Sequence, residues 1–163
     1  MSSPVKEPAS IPSVTTPTDR EIRTERVFHA PQQRVWQAFT EPTLIAQWWG
    51  RGNTLVVERM EVERGGHWRY VEHGPEGVHG FHGRYREVTP QQRLVQTFEW
   101  EGMPGHVSIT AVTFEDLGDG RTRVVTTLLF PTREERDGML RAGMEAGLNQ
   151  SYAALDRLLA RLD

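Results

Sequence analysis

The sequence contains no cysteine among its 163 residues. Disulfides and thiolate metal sites are therefore excluded, and nothing indicates the disulfide-rich scaffold of a small secreted protein. No apolar run approaches the roughly 20 residues that a membrane-spanning helix needs, and the N-terminus lacks the apolar stretch of a signal peptide. By elimination, we expect a soluble cytoplasmic protein with no membrane partner.

The chain also has little excess charge of either sign. Its net charge is −3, whereas phosphate binding usually shows as a basic patch, so we expect no nucleic-acid partner. Residues 1–20 differ from the rest, because four prolines stand there among serines and threonines. Such a stretch buries too little apolar surface to offset its ordering entropy. We predict a disordered tail at 1–20 and one domain at 21–163.

Most of that domain has the pattern of β-strands, separated by turn residues such as Gly118-Asp119-Gly120. Short turns between consecutive strands imply antiparallel pairing. Pro31 and Pro42 each begin a short helix, and Gly50 ends the second. A single long helix closes the chain from a capping box of Thr132 and Glu135. The seven predicted strands are 21–29, 54–62, 66–73, 78–88, 92–101, 105–116 and 121–130.

One helix cannot cover such a sheet. Seven strands at about 4.8 Å spacing span about 30 Å, whereas a helix is about 10–12 Å in diameter. The sheet must therefore curl around the helix, with the two short helices closing one end. Curling leaves space between sheet and helix unless large side chains fill it.

Period-two alternation assigns side chains to the faces of each strand. Trp68 and Tyr70 share one face of their strand, and Phe98 and Trp100 share one face of theirs. An aromatic inner face with few polar groups is typical of a ligand pocket, although the same rings would also fill a core without a cavity. For a pocket, the predicted ligand contacts are Trp48, Trp68, Tyr70, Phe98, Trp100, Met144, Gly147 and Ser151.

Two of the glycines lie one turn apart in the last predicted helix, Gly143 and Gly147. An interior helical glycine costs about 1 kcal/mol relative to alanine, so each needs a structural reason. We expect Gly143 to pack closely against a neighbour. We expect Gly147 to border the pocket, where an added methyl group would meet open space.

The histidines do not predict a metal site, because His79 and His82 are three residues apart and so point to opposite faces of a strand. Glu72 shares a face with Trp68 and Tyr70, but charged residues are seldom buried without a partner. We therefore expect the strand to fray and leave the Glu72 carboxylate in water. With no nucleophile motif and no glycine-rich phosphate loop, we predict no metal and no cofactor, and we assign no catalytic residue.

Four stretches resemble a known family: VFHAPQQRVWQAFTEPTLIAQWWG (27–50), GGHWRYVEHGPEG (65–77), FHGRYREVTPQQRLVQTFEWEG (81–102) and GMEAGLNQSYAALDRLLARL (143–162). They are similar to motifs of the START-like (SRPBCC) superfamily, in the branch of activator of heat-shock-protein-90 ATPase homologue-like proteins. The paired tryptophans and the Gly-Met-Glu-x-Gly pattern make the resemblance specific. Leu148 departs from it, since relatives often carry an aromatic residue there.

The resemblance implies the α+β helix-grip (START/Bet v-like) fold, a seven-stranded curved antiparallel sheet around a long C-terminal helix with two short helices after the first strand. It leaves three functions open: binding of a small hydrophobic or aromatic molecule, a polyketide cyclase- or hydrolase-like enzyme in the same pocket, and a chaperone-associated protein-binding module. Co-chaperones of this branch carry an additional N-terminal domain where this chain has a short tail, which disfavours a chaperone partner. An exposed aromatic patch at Trp48 and Trp49 would favour the third function, and a pocket closed over them the first two.

Overall fold

The computed structural model describes residues 13–162. Along the chain, two strands are followed by two short helices, six further strands and two C-terminal helices. The elements are β1 (Ser13–Thr15), β2 (Glu21–Phe28), α1 (Gln32–Thr40), α2 (Pro42–Ile45), β3 (Thr54–Met60), β4 (His67–Gly74), β5 (Gly77–Thr89), β6 (Arg93–Trp100), β7 (Val107–Gly118), β8 (Arg121–Leu129), α3 (Arg133–Arg141) and α4 (Met144–Arg161).

The strands form one antiparallel sheet in the order β1-β2-β8-β7-β6-β5-β4-β3. From β3 to β8 each strand pairs with the next one in the chain, as short turns require. β2 joins the far side of β8, so α1 and α2 lie in the connection between β2 and the opposite edge strand, β3. The predicted helix-grip fold, an α+β sheet with a C-terminal helix, is confirmed.

The strand count is eight rather than the predicted seven, because residues assigned to the tail form β1. β1 pairs with β2 from Ser13 opposite Glu25 to Thr15 opposite Arg23. Backbone pairing at a sheet edge needs no apolar side chain, so composition could not indicate it. Thr18 is held as well, since its carbonyl oxygen accepts a hydrogen bond from Arg136 Nη1 at 2.7 Å. The prediction of disorder for residues 1–12 lies outside the described residues.

The long C-terminal helix is present as α4, but the prediction that it runs without a break from Thr132 is wrong, because the chain forms α3 and α4 as two separate helices. Gly143 has φ +80°, in the left-handed region, and precedes the first residue of α4. No atom lies within 4 Å of the position that a Cβ would take at Gly143. Gly143 is therefore explained by backbone conformation rather than by the close packing we expected, since glycine adopts positive φ without steric cost.

The second short helix is also shorter than predicted. α2 ends at Ile45, and turns carry the chain on to Gly50, with the amide of Trp49 donating to the carbonyl of Ile45 at 3.0 Å. Gly50 has φ +118°, so it redirects the chain as expected of a glycine in this position. The result is that Trp48 and Trp49 lie on a turn rather than on a helix.

α4 is held against the sheet by apolar packing and by one ion pair. Leu155, on its buried face, is 0% exposed. Tyr152 packs edge-on against Phe28 of β2, with ring centroids 5.1 Å apart. Arg26 of β2 donates to both carboxylate oxygens of Asp156, at 2.9 and 2.6 Å. These contacts fix the middle of α4 against β2.

Candidate functional site

A cavity of about 560 Å³ lies between the concave face of the sheet, α4 and the segment of α1 and α2. That volume is within the about 300–1,000 Å³ typical of small-molecule sites. The side chains therefore do not fill the space between sheet and helix. All eight residues predicted as ligand contacts lie on its lining: Trp48, Trp68, Tyr70, Phe98, Trp100, Met144, Gly147 and Ser151. That they bind a ligand stays a prediction.

One wall of the cavity is aromatic. Alternation along β4 and β6 turns Trp68, Tyr70 and Phe98 to the concave face, and the rings of Trp68 and Tyr70 lie 4.6 Å apart. The Trp49 ring packs on this wall, with its centroid 5.2 Å from that of Tyr70 and 5.3 Å from that of Phe81. Trp49 and Phe81 also lie on the lining, although they were not among the predicted contacts. The register places Phe81 directly opposite Tyr70, so pairing β4 with β5 would have found it.

The orientation of Trp68 on this wall depends on an interruption in the pairing of β5 with β6. Gly83 and Arg84 of β5, which lie between His82 and Tyr85, are not paired with residues of β6. There the Trp68 indole N–H donates to the carbonyl of Thr97 at 3.1 Å, across β5. A Cβ at Gly83 would stand 1.9 Å from that oxygen, so only glycine leaves room for the indole. The bond fixes the plane of Trp68 on the cavity wall.

The lining also carries several uncharged polar side chains. Thr24, Ser108, Thr110 and Thr126 lie on β2, β7 and β8, and Gln96 lies on β6. These groups supply hydroxyl and amide donors and acceptors in a largely apolar space. Few polar groups among apolar walls is the arrangement that orients a small ligand.

Two phenols on the lining stay protonated at neutral pH. Burial raises the pKa of Tyr70 well above its ordinary value, and the nearby Tyr85 adds to the rise. Burial also raises the pKa of Tyr152, against the lowering effect of its hydrogen bond with Thr126. Both hydroxyls are therefore neutral hydrogen-bonding groups, and neither contributes charge to the cavity.

Glu72 lies on the lining with its side chain 1% exposed, so the expectation that its carboxylate would be in water is wrong. β4 stays regular to Gly74, and Glu72 is paired with His79 of β5. Its Oε1 accepts from Arg51 Nη2 at 2.9 Å and from Asn53 Nδ2 at 2.6 Å. Charge and hydrogen bonds from the loop after α2 make this burial tolerable, and no local sequence pattern connects that loop to β4.

Arg51 also lies against Gly147 of α4. A Cβ at position 147 would stand 2.7 Å from Arg51 Cδ, so the expected open space beside Gly147 is occupied. The backbone N–H of Arg51 donates to Ser151 Oγ at 3.1 Å, which fixes the loop to the next turn of the helix. Arg51 therefore spans one edge of the cavity, from α4 to Glu72.

A second depression, of about 620 Å³, lies on the convex face of the sheet and is lined mostly by charged residues. Arg69 donates to both carboxylate oxygens of Glu101, at 2.9 and 2.8 Å, and this pairing holds the pKa of Glu101 at about 2. His82 Nδ1 lies 2.9 Å from the same carboxylate. Since these groups pair with one another and provide little apolar wall, the inner cavity is the better candidate site.

The described residues show neither a metal cluster nor a membrane span. Within 13–162, no group of three or more His, Cys, Asp or Glu side chains could hold a metal ion. His79 lies on the cavity lining and His82 on the convex face, as their spacing predicts. In the same part of the chain, no helix has the length and apolarity to cross a membrane.

Comparison with known proteins gives the class to which this fold and cavity belong. The family model for Activator of Hsp90 ATPase homolog 1-like protein matches residues 29–160. The chain therefore belongs to this family, as the motif resemblance predicted. No curated protein matches the chain.

Several solved structures share the fold. A protein from Rhodobacter sphaeroides is 25% identical, with a TM-score of 0.85 over 93% of this chain and 99% of its own. A protein from Arthrobacter aurescens, at 24% identity, has a TM-score of 0.84 over 93% of each chain. DynU16, described as a protein in the dynemicin biosynthetic locus, is 25% identical with a TM-score of 0.69, covering 88% of this chain and 48% of its own.

Proposed function

We propose that the protein binds a small, largely apolar molecule with an aromatic body in the cavity between the sheet and α4. The observation that carries this proposal is the cavity itself, about 560 Å³, with many aromatic rings and a few uncharged polar groups on its lining. Aromatic rings would pack against a flat apolar ligand, and the hydroxyls and the Gln96 amide would orient it. The eight residues predicted from the sequence are the proposed contacts.

The position of the paired tryptophans supports a small ligand over a protein partner. Trp48 is 5% exposed, and its indole N–H donates to the carbonyl of Ala38 at 2.9 Å. Trp49 packs against the cavity wall. These rings close the pocket rather than form a docking patch, so a chaperone-associated function is disfavoured. The likeness to DynU16, from a biosynthetic locus, agrees with small-molecule chemistry, and a cytoplasmic location stays a prediction.

A cyclase- or hydrolase-like activity is the second candidate, and the position of Glu72 favours it. A carboxylate on the lining of a pocket is within reach of a bound molecule and could accept a proton from it. Mass spectrometry of a compound before and after incubation with the protein separates the two candidates. An unchanged compound indicates binding, and a changed mass or isomer indicates catalysis.

To test binding, we would titrate the protein with N-phenyl-1-naphthylamine, a neutral aromatic dye that fluoresces in apolar surroundings. We expect a saturable rise that fits one site per chain, because one cavity has aromatic walls. Naphthalene should compete with the dye for the same space. A rise that stays linear with dye concentration and is not reversed by naphthalene would contradict the proposal.

A further inference from the structure

The cavity carries few ionisable side chains besides its tyrosines. Among the described residues, these are Arg51, Glu72, Glu76 and His79. The lining thus carries two carboxylates, one guanidinium and one imidazole. Any charged group on a ligand would interact mainly with Glu72 and Arg51, because Glu76 is exposed and water screens it.

The carboxylate is the fixed member of this pair. Glu72 is 1% exposed and lies on β4, between β3 and β5 in the sheet. Along β4, Glu72 is the next residue after Tyr70 on the concave face, and Tyr70 is paired with Phe81 of β5. Since the strand is paired on both sides, Glu72 cannot turn out to solvent without breaking the sheet. A ligand in the cavity therefore meets a negative charge that stays in place.

The guanidinium is the movable member. The Arg51 side chain is 54% exposed, and it belongs to a loop in which Arg51 itself has φ +55°. A half-exposed side chain of this length can swing outward, and its charged end is then hydrated by water. Displacing the Arg51 guanidinium from Glu72 therefore costs much less free energy than moving the Glu72 carboxylate.

From this asymmetry we infer that the ligand carries a positively charged nitrogen, which takes the place of Arg51 beside Glu72. The inference rests on the proposed binding function and names the ligand class, an organic ammonium with an aromatic or apolar body. A compact ammonium group would contact the buried carboxylate, and the faces of Tyr70, Phe81 and Trp49 would favour its charge, since aromatic faces attract cations. A carboxylate ligand would instead be repelled by Glu72.

Three compounds with one ring system test the charge preference: 1-naphthylmethylamine, 1-naphthylmethanol and 1-naphthoate. Each is titrated against the protein at pH 7 by calorimetry. We expect the amine to bind about tenfold more tightly than the alcohol, as one charged contact with aromatic support provides, and the carboxylate to bind most weakly. Equal affinity for amine and alcohol, or tightest binding of the carboxylate, would overturn the inference.

Variants assign the preference to the two residues. Glu72→Gln should bring the ratio of amine to alcohol affinity close to one. Arg51→Gln should increase that ratio, because it removes the cation that competes for Glu72. The matched control is Glu76→Gln, which changes an exposed acid on the same lining and should alter the ratio less than about twofold. If Arg51→Gln lowers the ratio, Arg51 helps to hold the ligand and the inference fails.

Arg51→Gln removes the cation beside the buried Glu72 carboxylate and leaves it the hydrogen bond from Asn53, so this variant will be less stable. Its melting temperature provides a second readout. The amine should raise that temperature more in Arg51→Gln than in the wild type, and an equal or smaller rise would contradict the exchange. If none of the three compounds and no neutral dye saturates the wild type, the proposed binding function fails, which is distinct from binding without charge preference.

Discussion

Replacing Trp68 with alanine is expected to lower the free energy of unfolding by about 3–5 kcal/mol. Trp68 is 1% exposed, and its ring packs 4.6 Å from Tyr70 and 5.9 Å from Phe98. The change removes that packing and the indole donor to the Thr97 carbonyl. Urea denaturation followed by circular dichroism measures the loss.

The control for this prediction is Trp68→Phe, which keeps a ring but removes the N–H. It should cost less than the alanine variant, about 1–3 kcal/mol, chiefly because the carbonyl of Thr97 loses its hydrogen bond. If the two variants cost the same, the hydrogen bond across Gly83 rather than packing accounts for the role of Trp68. A loss below about 1 kcal/mol for Trp68→Ala would show that the aromatic wall is not part of the core.

Replacing Thr110 with phenylalanine is expected to weaken binding of N-phenyl-1-naphthylamine more than about tenfold, equivalent to about 1.4 kcal/mol. Thr110 lies on the cavity lining, so a benzyl group there occupies space that the dye needs. Stability should change little, because overpacking costs arise only where a core is already full. The dye titration and a urea melt of the same variant measure both effects.

Thr113→Phe is the matched control, since Thr113 lies three residues further along β7 and points to the convex face. Its hydroxyl accepts a long hydrogen bond from Arg93 Nη1 at 3.4 Å. Dye affinity should stay within about twofold of the wild type. Equal loss of binding in both variants would place the dye outside the cavity. A loss of about 1–3 kcal/mol in stability for Thr110→Phe would mean that the cavity is filled.

The fold was largely predictable because its signals are local. Alternation over β4 to β8 and the glycine turns between them define an antiparallel sheet, and the apolar face of α4 requires something to cover it. What the sequence did not show depends on backbone geometry. From the sequence, Gly143 was expected inside one long helix, in close contact with a neighbour. In the structure it lies between α3 and α4 and precedes the first residue of α4. β1 forms through backbone pairing alone, without an apolar pattern.

The candidate site was predictable only where side chains alternate along one strand. Trp68 and Tyr70, or Phe98 and Trp100, were found this way. Arg51 was not, because its position beside Glu72 is set by a loop 21 residues away in the sequence. The burial of Glu72 followed from the same contact, so a judgement based on β4 alone had to place its carboxylate in water.

The central claim is that the cavity holds a small molecule, and tryptophan indole resonances test it most directly. Four of the five tryptophans lie on the lining, Trp48, Trp49, Trp68 and Trp100, while Trp36 does not. In a ¹⁵N–¹H titration with 1-naphthylmethanol, we predict saturable shifts for those four indole signals and little change for Trp36. Shifts absent from all four, or equally large for Trp36, would contradict the account.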